Sequence, residues 1–253
     1  RDLVRSRGLG DVYKRQVADL KRICKSMADA AQEAGVHIVT GDTKVVNRGH
    51  GDGVFINTSG IGFIPAGVEL SGAFCKPGDK ILVSGTVGDH GITVMACREE
   101  LSFNADIQSD AAPLNHLIAE VLAAAPDTRC FRDPTRGGLA STLNELAGQS
   151  DVDFIVEEDA VPVKDAVRGA CEMLGYDVYQ VANEGKMVCV VPAEQADAAL
   201  KAMQNNVYGV DAAIIGEVVE KPEDRSSRVS IRTGFGALRI MDMLVGEQLP
   251  RIC

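Results

Sequence analysis

Tryptophan is absent from this chain of 253 residues, and aromatic side chains make up only 4% of it. That scarcity argues against a stacking platform for nucleobases or sugars. Basic charge is short as well: 26 Lys and Arg stand against 36 Asp and Glu, a formal net charge of -10. Nucleic acids and anionic membrane surfaces both select a basic face, so neither is expected as a partner. No apolar run approaches the roughly 18 residues of a membrane span, and no secretory signal opens the sequence. The 7 cysteines fall at positions 24, 75, 97, 130, 171, 189 and 253, with no C-x-x-C pair. An odd count without that pair speaks against a disulfide framework or a structural zinc site. Reduced thiols in a cytoplasmic protein fit better.

What is present reads as a globular chain, 45% hydrophobic and 25% charged, long enough for two modest domains. Residues 1–16 are basic, lack a clean period and resemble a non-native scar, so they are set apart from the fold. From Val17 to Ala34, apolar Leu20, Ile23, Cys24, Met27 and Ala31 recur at helical spacing, and Gly35 stops the helix. Strands are expected at His37–Val39 and at Val54–Ile64, where Phe55, Asn57 and Ser59 alternate against Val54, Ile56 and Thr58. Lys76-Pro77-Gly78-Asp79 is a strong turn, taken as a domain boundary. Beyond it, strands at 80–84, 152–156, 186–191, 213–219 and 228–231 alternate with helices ending near 100, 125, 147, 174 and 204. Pro113 is expected as the first helical residue of one, and Thr135 as the cap of another. The pattern predicts a mixed α/β (α+β) protein: a remnant first domain at 17–77, an α/β domain at 78–245 and a mobile tail at 246–253.

Four internal stretches can carry chemistry. Gly41-Asp42-Thr43-Lys44 follows a predicted strand. Its carboxylate can hold Mg²⁺ and its lysine can meet phosphate or act as a base, or the four residues are a turn of solvated charges. Gly85-Thr86-Val87-Gly88-Asp89-His90-Gly91 joins a strand to a helix, whose free N–H groups favour anions; it matches neither standard nucleotide fingerprint. Asp133-Pro134-Thr135-Arg136-Gly137-Gly138 places paired glycines at a helix start, at a cost of about 1 kcal/mol each. Close backbone packing and ligand approach both account for that. In Asn183-Glu184-Gly185-Lys186, Glu184 is either a base exposed in a cleft or an ordinary turn carboxylate. The chain ends Leu249-Pro250-Arg251-Ile252-Cys253, placing a thiol on a terminus stiffened by Pro250, with Gly246 as a pivot.

In this order, these motifs and the Pro250-Arg251-Ile252-Cys253 ending resemble the hydrogenase maturation HypE (carbamoyl dehydratase) family, of the group built like aminoimidazole ribonucleotide synthetase. The resemblance covers Val17 to Cys253, and the cysteine-terminated tail is its most specific element. It implies a two-domain fold with a first domain that pairs in a homodimer, and ATP and Mg²⁺ as cofactors. A carbamoyltransferase loads Cys253, ATP drives dehydration of the thiocarboxamide to a thiocyanate, and an iron-carrying scaffold pair accepts the cyanide for a [NiFe]-hydrogenase. By the same resemblance Asp42 serves Mg-ATP, and Lys44 and Glu184 remove protons. Asp89, Asp133, Arg136, Gly137 and Gly138 shape the nucleotide and tail site, and Cys253 is the covalent carrier. Family members are longer at the N-terminus, so the first domain is expected to be incomplete and ATP binding by this chain weak or absent. The competing readings are a selenophosphate synthetase or thiamine-phosphate kinase of the same fold group, and a non-catalytic partner-docking module.

Overall fold

The computed structural model describes residues 2–47, 54–98 and 107–243, with the backbone alone given for 2–16 and for Arg98. The carrier position Cys253 and the tail at 246–253 lie outside the described residues. The chain divides into two units, Arg1–Pro65 and Ala66–Cys253.

Among its described residues the first unit contains one helix, α1, Asp2–Ala34. It ends where Gly35 N–H bonds the Gln32 carbonyl at 3.2 Å and Val36 N–H reaches back to Ala31 at 3.0 Å, the paired bonds of a Schellman stop. The strands expected at His37–Val39 and Val54–Ile64 do not form: residues 36–47 and 54–64 are extended without ladder pairing. Their alternation is that of a strand, but a strand needs a neighbour to accept its hydrogen bonds. No described segment of this chain supplies one, and Val39, Val45, Phe55, Ile61, Phe63 and Ile64 are exposed.

The second unit is built on seven strands: β1 Lys80–Val83, β2 Cys130–Arg132, β3 Asp153–Glu157, β4 Val188–Val191, β5 Ala213–Val219, β6 Val229–Arg232 and β7 Leu238–Ile240. They form one sheet in the order β2-β4-β1-β5-β3-β6-β7. The β3–β6 pair is parallel and the other pairs are antiparallel. Among the described residues five α-helices accompany it: α2 Asp89–Arg98, α3 Asn115–Ala124, α4 Gly138–Ser150, α5 Asp165–Leu174 and α6 Ala196–Asn205.

Strand alternation sorts the core onto two faces. Ile81, Val83, Val188, Val190, Phe154 and Ile231 point to the face covered by α4 and α5, through Leu139, Leu143, Val167 and Cys171. Leu82, Cys189 and Val191 point the other way, against Leu117 and Val121 of α3 and Ala199 and Met203 of α6. Register keeps each set together, with Ile81 opposite Val190 and Leu82 opposite Cys189.

Several boundaries differ from expectation. Pro113 lies outside α3, which begins at Asn115 after Leu114. Thr135 does not cap α4: Gly137 occupies that position in the left-handed region, while the Thr135 hydroxyl turns to the Asp133 carboxylate at 3.4 Å. That local acceptor competes with the helix's own N–H groups. The helix expected over 193–204 opens as a 3-10 turn at Ala193–Gln195. Strands β2 and β7, of 3 residues each, were not expected.

Candidate functional site

Three of the singled-out motifs meet at one side chain. Asn183 is fully buried. Its Oδ1 accepts the Gly88 N–H at 2.8 Å, and its Nδ2 donates to the carbonyls of Pro134 and Val181, both at 3.0 Å. The Asn183 backbone N–H also donates to Pro134 O at 3.1 Å, and Gly91 N–H to Ala182 O at 3.0 Å. The loops at 85–91, 133–138 and 182–186 are thereby held as one body.

Gly138 makes the junction possible. Its φ is +59°, and a Cβ there would stand 2.5 Å from Val181 O and 2.6 Å from Tyr179 O. Only glycine combines that backbone angle with that approach. Gly138 is thus a packing device that lays the start of α4 on the 179–181 backbone. The close backbone packing that was one account of these glycines is present at Gly138.

The joined loops border a cleft of about 410 Å³ lined by Arg132, Asp133, Thr135, Arg136, Thr142, Glu145 and Glu184. Asp133, Arg136 and Glu184 therefore share one cavity. Arg132 bridges Asp133 at 2.8 Å and Glu145 at 3.1 Å. The Glu145 hydrogen bond, above all, raises the guanidinium pKa above its ordinary value. Glu184 keeps one carboxylate oxygen, Oε1, buried without a hydrogen-bond partner. A desolvated carboxylate oxygen with no donor of its own is what a base needs in order to take a proton from a ligand.

Asp89 does not line this cleft. It is 1% exposed, at the first turn of α2, where Oδ2 accepts from Thr86 Oγ1 at 2.5 Å and pairs with Lys164 at 3.0 Å. Its Oδ1 is buried with no partner. His90 bonds Ser109 Oγ through Nδ1 at 2.9 Å. Asp42 and Lys44 belong to the first unit, on an exposed extended segment, where Asp42 Oδ1 accepts the Thr43 N–H at 2.8 Å. Among the described residues no three His, Cys, Asp or Glu side chains are grouped to hold a metal. A metal here would have to be held by isolated carboxylates together with groups of a ligand.

Sequence reasoning named Glu184 and passed over Asn183 beside it, and it passed over Asp110 entirely. The Asp110 carboxylate accepts the Glu184 N–H at 3.1 Å and lies 3.9 Å from Lys186 Nζ. Asn183 lies in the Asn183-Glu184-Gly185-Lys186 stretch; Asp110 sits in a loop with no pattern of its own.

Two successive stretches of the chain match the models "AIR synthase related protein, N-terminal domain" at residues 4–64 and "AIR synthase related protein, C-terminal domain" at residues 76–228. Fold and site thus define an AIR synthase-related protein. Carbamoyl dehydratase HypE of Azotobacter vinelandii is 56% identical over 237 residues, covering 94% of this chain and 69% of that protein. The Escherichia coli K12 protein of the same name is 44% identical, covering 92% and 68%. The chain belongs to the carbamoyl dehydratase HypE family. A crystal structure of HypE in complex with ATP matches with a TM-score of 0.87 at 48% identity, covering 92% of this chain and 70% of that one. A HypE–HypF complex matches with a TM-score of 0.86 at 50% identity, covering 90% and 73%. Thiamine-monophosphate kinase from Stenotrophomonas maltophilia, at 23% identity and a TM-score of 0.50, shares the fold alone.

Proposed function

We propose that this chain is the ATP-dependent dehydratase that turns a carbamoylated C-terminal cysteine into a thiocyanate, supplying the cyanide ligand for [NiFe]-hydrogenase maturation. The observation that carries the reading is identity of 56% to a carbamoyl dehydratase across 94% of the chain. The ATP complex of a relative supports nucleotide binding, and the complex of a relative with HypF supports a HypF-type carbamoyltransferase as the partner that loads Cys253.

The reaction sets the tasks. An amide oxygen leaves poorly, so the thiocarboxamide oxygen attacks the γ-phosphorus of ATP, its O–P bond forms and ADP departs. Two N–H protons are then removed, the C–O bond breaks, inorganic phosphate leaves and the C≡N bond is complete. Positioning and charge stabilisation carry most of such a transfer. Glu184, with its unpartnered buried Oε1, and Lys44 take the two protons. Asp133, Arg136, Gly137 and Gly138 shape the cleft for tail and nucleotide, and Asp89 fixes the start of α2 beside it. The exposed Asp42 carboxylate suits Mg²⁺, which binds through one or two carboxylates plus phosphate oxygens. When bound, that ion neutralises phosphate charge. The free state of the six described cysteines, Cys24 to Cys189, fits a reducing cytoplasm. The exposed apolar side chains of the first unit, such as Phe55, Ile61 and Phe63, fit a homodimer in which a second subunit completes the ladder. The cyanide passes to an iron-carrying scaffold pair.

The test is mass spectrometry after incubation with the carbamoyltransferase, carbamoyl phosphate and ATP. A carbamoyl adduct on Cys253 that loses one water only when ATP is present is expected, and Cys253→Ala should abolish it. An adduct that never loses water, or one that persists in Cys253→Ala, overturns the reading.

A further inference from the structure

The Asp110 side chain is only 1% exposed, yet the residue sits in a loop and has no part in the reaction as described. It touches the catalytic motif at two points. Its Oδ1 accepts the backbone N–H of Glu184 at 3.1 Å. A Cβ on Gly185 would overlap the Asp110 carbonyl oxygen, so the Gly185 backbone packs directly against that of Asp110. Lys186 faces the other carboxylate oxygen: its Nζ lies 3.9 Å from Oδ2, an ion pair too long for a hydrogen bond. Oδ2 is accordingly buried without a donor. The Lys186 stem reaches that position by lying across Gly85, where a Cβ would come within 3.1 Å of Cε. The loop is fastened at its other end by Ser109, whose hydroxyl meets His90 Nδ1 at 2.9 Å.

A buried carboxylate is costly unless it is paired and hydrogen-bonded. Asp110 is only partly compensated by Lys186, so a neutral side chain would serve stability as well. What the carboxylate gains is a charge-assisted hold on one peptide N–H, that of Glu184.

We infer that Asp110 is a positioning residue for Glu184, fixing the backbone from which that carboxylate reaches into the cleft, with Lys186 balancing its charge. The inference rests on the reading of Glu184 as a base. A misplacement of about 1 Å costs on the order of 100-fold in rate, so the effect is visible in kinetics.

The variants Asp110→Ala and Asp110→Asn separate positioning from folding, because the asparagine carbonyl still accepts the Glu184 N–H. With Cys253 carbamoylated, single-turnover water loss on adding ATP should fall about 100-fold in Asp110→Ala. Asp110→Asn should recover to within about 10-fold of the parent chain. ATP affinity by calorimetry should stay within about 2-fold in both. Amide exchange at Glu184, read by NMR, should quicken at least about 10-fold in Asp110→Ala and stay near the parent rate in Asp110→Asn. Unchanged exchange in Asp110→Ala overturns the inference whatever the chemistry does. So does an equal rate loss in the two variants, or a loss of ATP affinity that matches the loss of rate. Glu184→Gln is the control: if it dehydrates at the parent rate, the base assignment fails and the inference with it. If it is inactive while Asp110→Ala keeps the parent rate, the inference alone fails.

Discussion

Asn183 Oδ1 accepts the Gly88 N–H at 2.8 Å, so one amide side chain joins the start of α2 to the turn that carries Glu184. The same amide donates to Pro134 O and Val181 O, and of these acceptors Pro134 O keeps the Asn183 backbone N–H when the side chain is removed. Asn183→Ala strands at least one buried donor, and each such group costs about 1–3 kcal/mol. Urea unfolding should show a loss of about 2–4 kcal/mol on that basis. A loss below about 1 kcal/mol would show that the three loops hold together without it.

Glycine is required where backbone meets backbone. Gly138→Ala places a Cβ 2.5 Å from Val181 O on a backbone with φ of +59°, and neither neighbour is the end of a flexible side chain. A destabilisation of more than about 3 kcal/mol is expected, from overpacking and backbone strain together. Gly148→Ala is the contrast, because nothing lies within 4 Å of its added Cβ and alanine favours a helix interior. That variant should gain up to about 1 kcal/mol. Paired thermal melts of the two variants check the order; a reversal would contradict the close approach.

Asp79 and Arg129 form a partly buried pair behind the turn that precedes β1. Arg129 donates through Nε at 3.0 Å and through a second nitrogen at 3.2 Å, and Asp79 also accepts the Lys76 N–H at 2.8 Å. The Asp79 hydrogen bond raises the Arg129 pKa. Asp79 is 4% exposed, so Arg129→Ala leaves a carboxylate that water reaches poorly. A loss of about 3 kcal/mol in urea unfolding follows. Asp79→Asn in the Arg129→Ala background should restore part of it, since the buried charge is gone; a further loss would argue against desolvation as the cause.

The second unit was legible where elements were long and buried on one period. Val188-Cys189-Val190-Val191 and Ala213–Val219 read as strands because every residue or every second one is apolar, and the structure pairs each of them on both sides within the sheet. Leu238–Ile240 was not legible: all 3 residues are exposed, and nothing but pairing with β6 makes them a strand. Val54–Ile64 failed the other way, since alternation records a half-buried surface and cannot say which chain covers it. Glu184 could be named from its motif. Asp110 could not, because its meaning depends on a contact across 74 positions and on the orphaned Oδ2, neither of which leaves a local pattern.

Buried thiols and a buried phenol make the fold sensitive to alkali. Burial pushes the Cys171 thiol from 9.0 up to about 11, and burial likewise pushes the Tyr179 phenol from 10.0 up to about 12. Below pH 9 neither the folded nor the unfolded chain ionises Cys171, and its effect on stability is flat. Between about pH 9 and pH 11 the unfolded chain releases a proton that the folded chain keeps, so stability falls as pH rises. At 1.36 kcal/mol for each tenfold difference, the share of Cys171 approaches roughly 2–3 kcal/mol at the upper limit. Cys171→Ala removes that share while adding a cavity cost that does not depend on pH. Urea unfolding of the two proteins at pH 8 and pH 10.5 should therefore show a smaller alkaline loss in the variant. Parallel losses would refute burial as the origin of the shift, and would move the alkaline sensitivity to Tyr179 and the thiols Cys130 and Cys189, which are also raised.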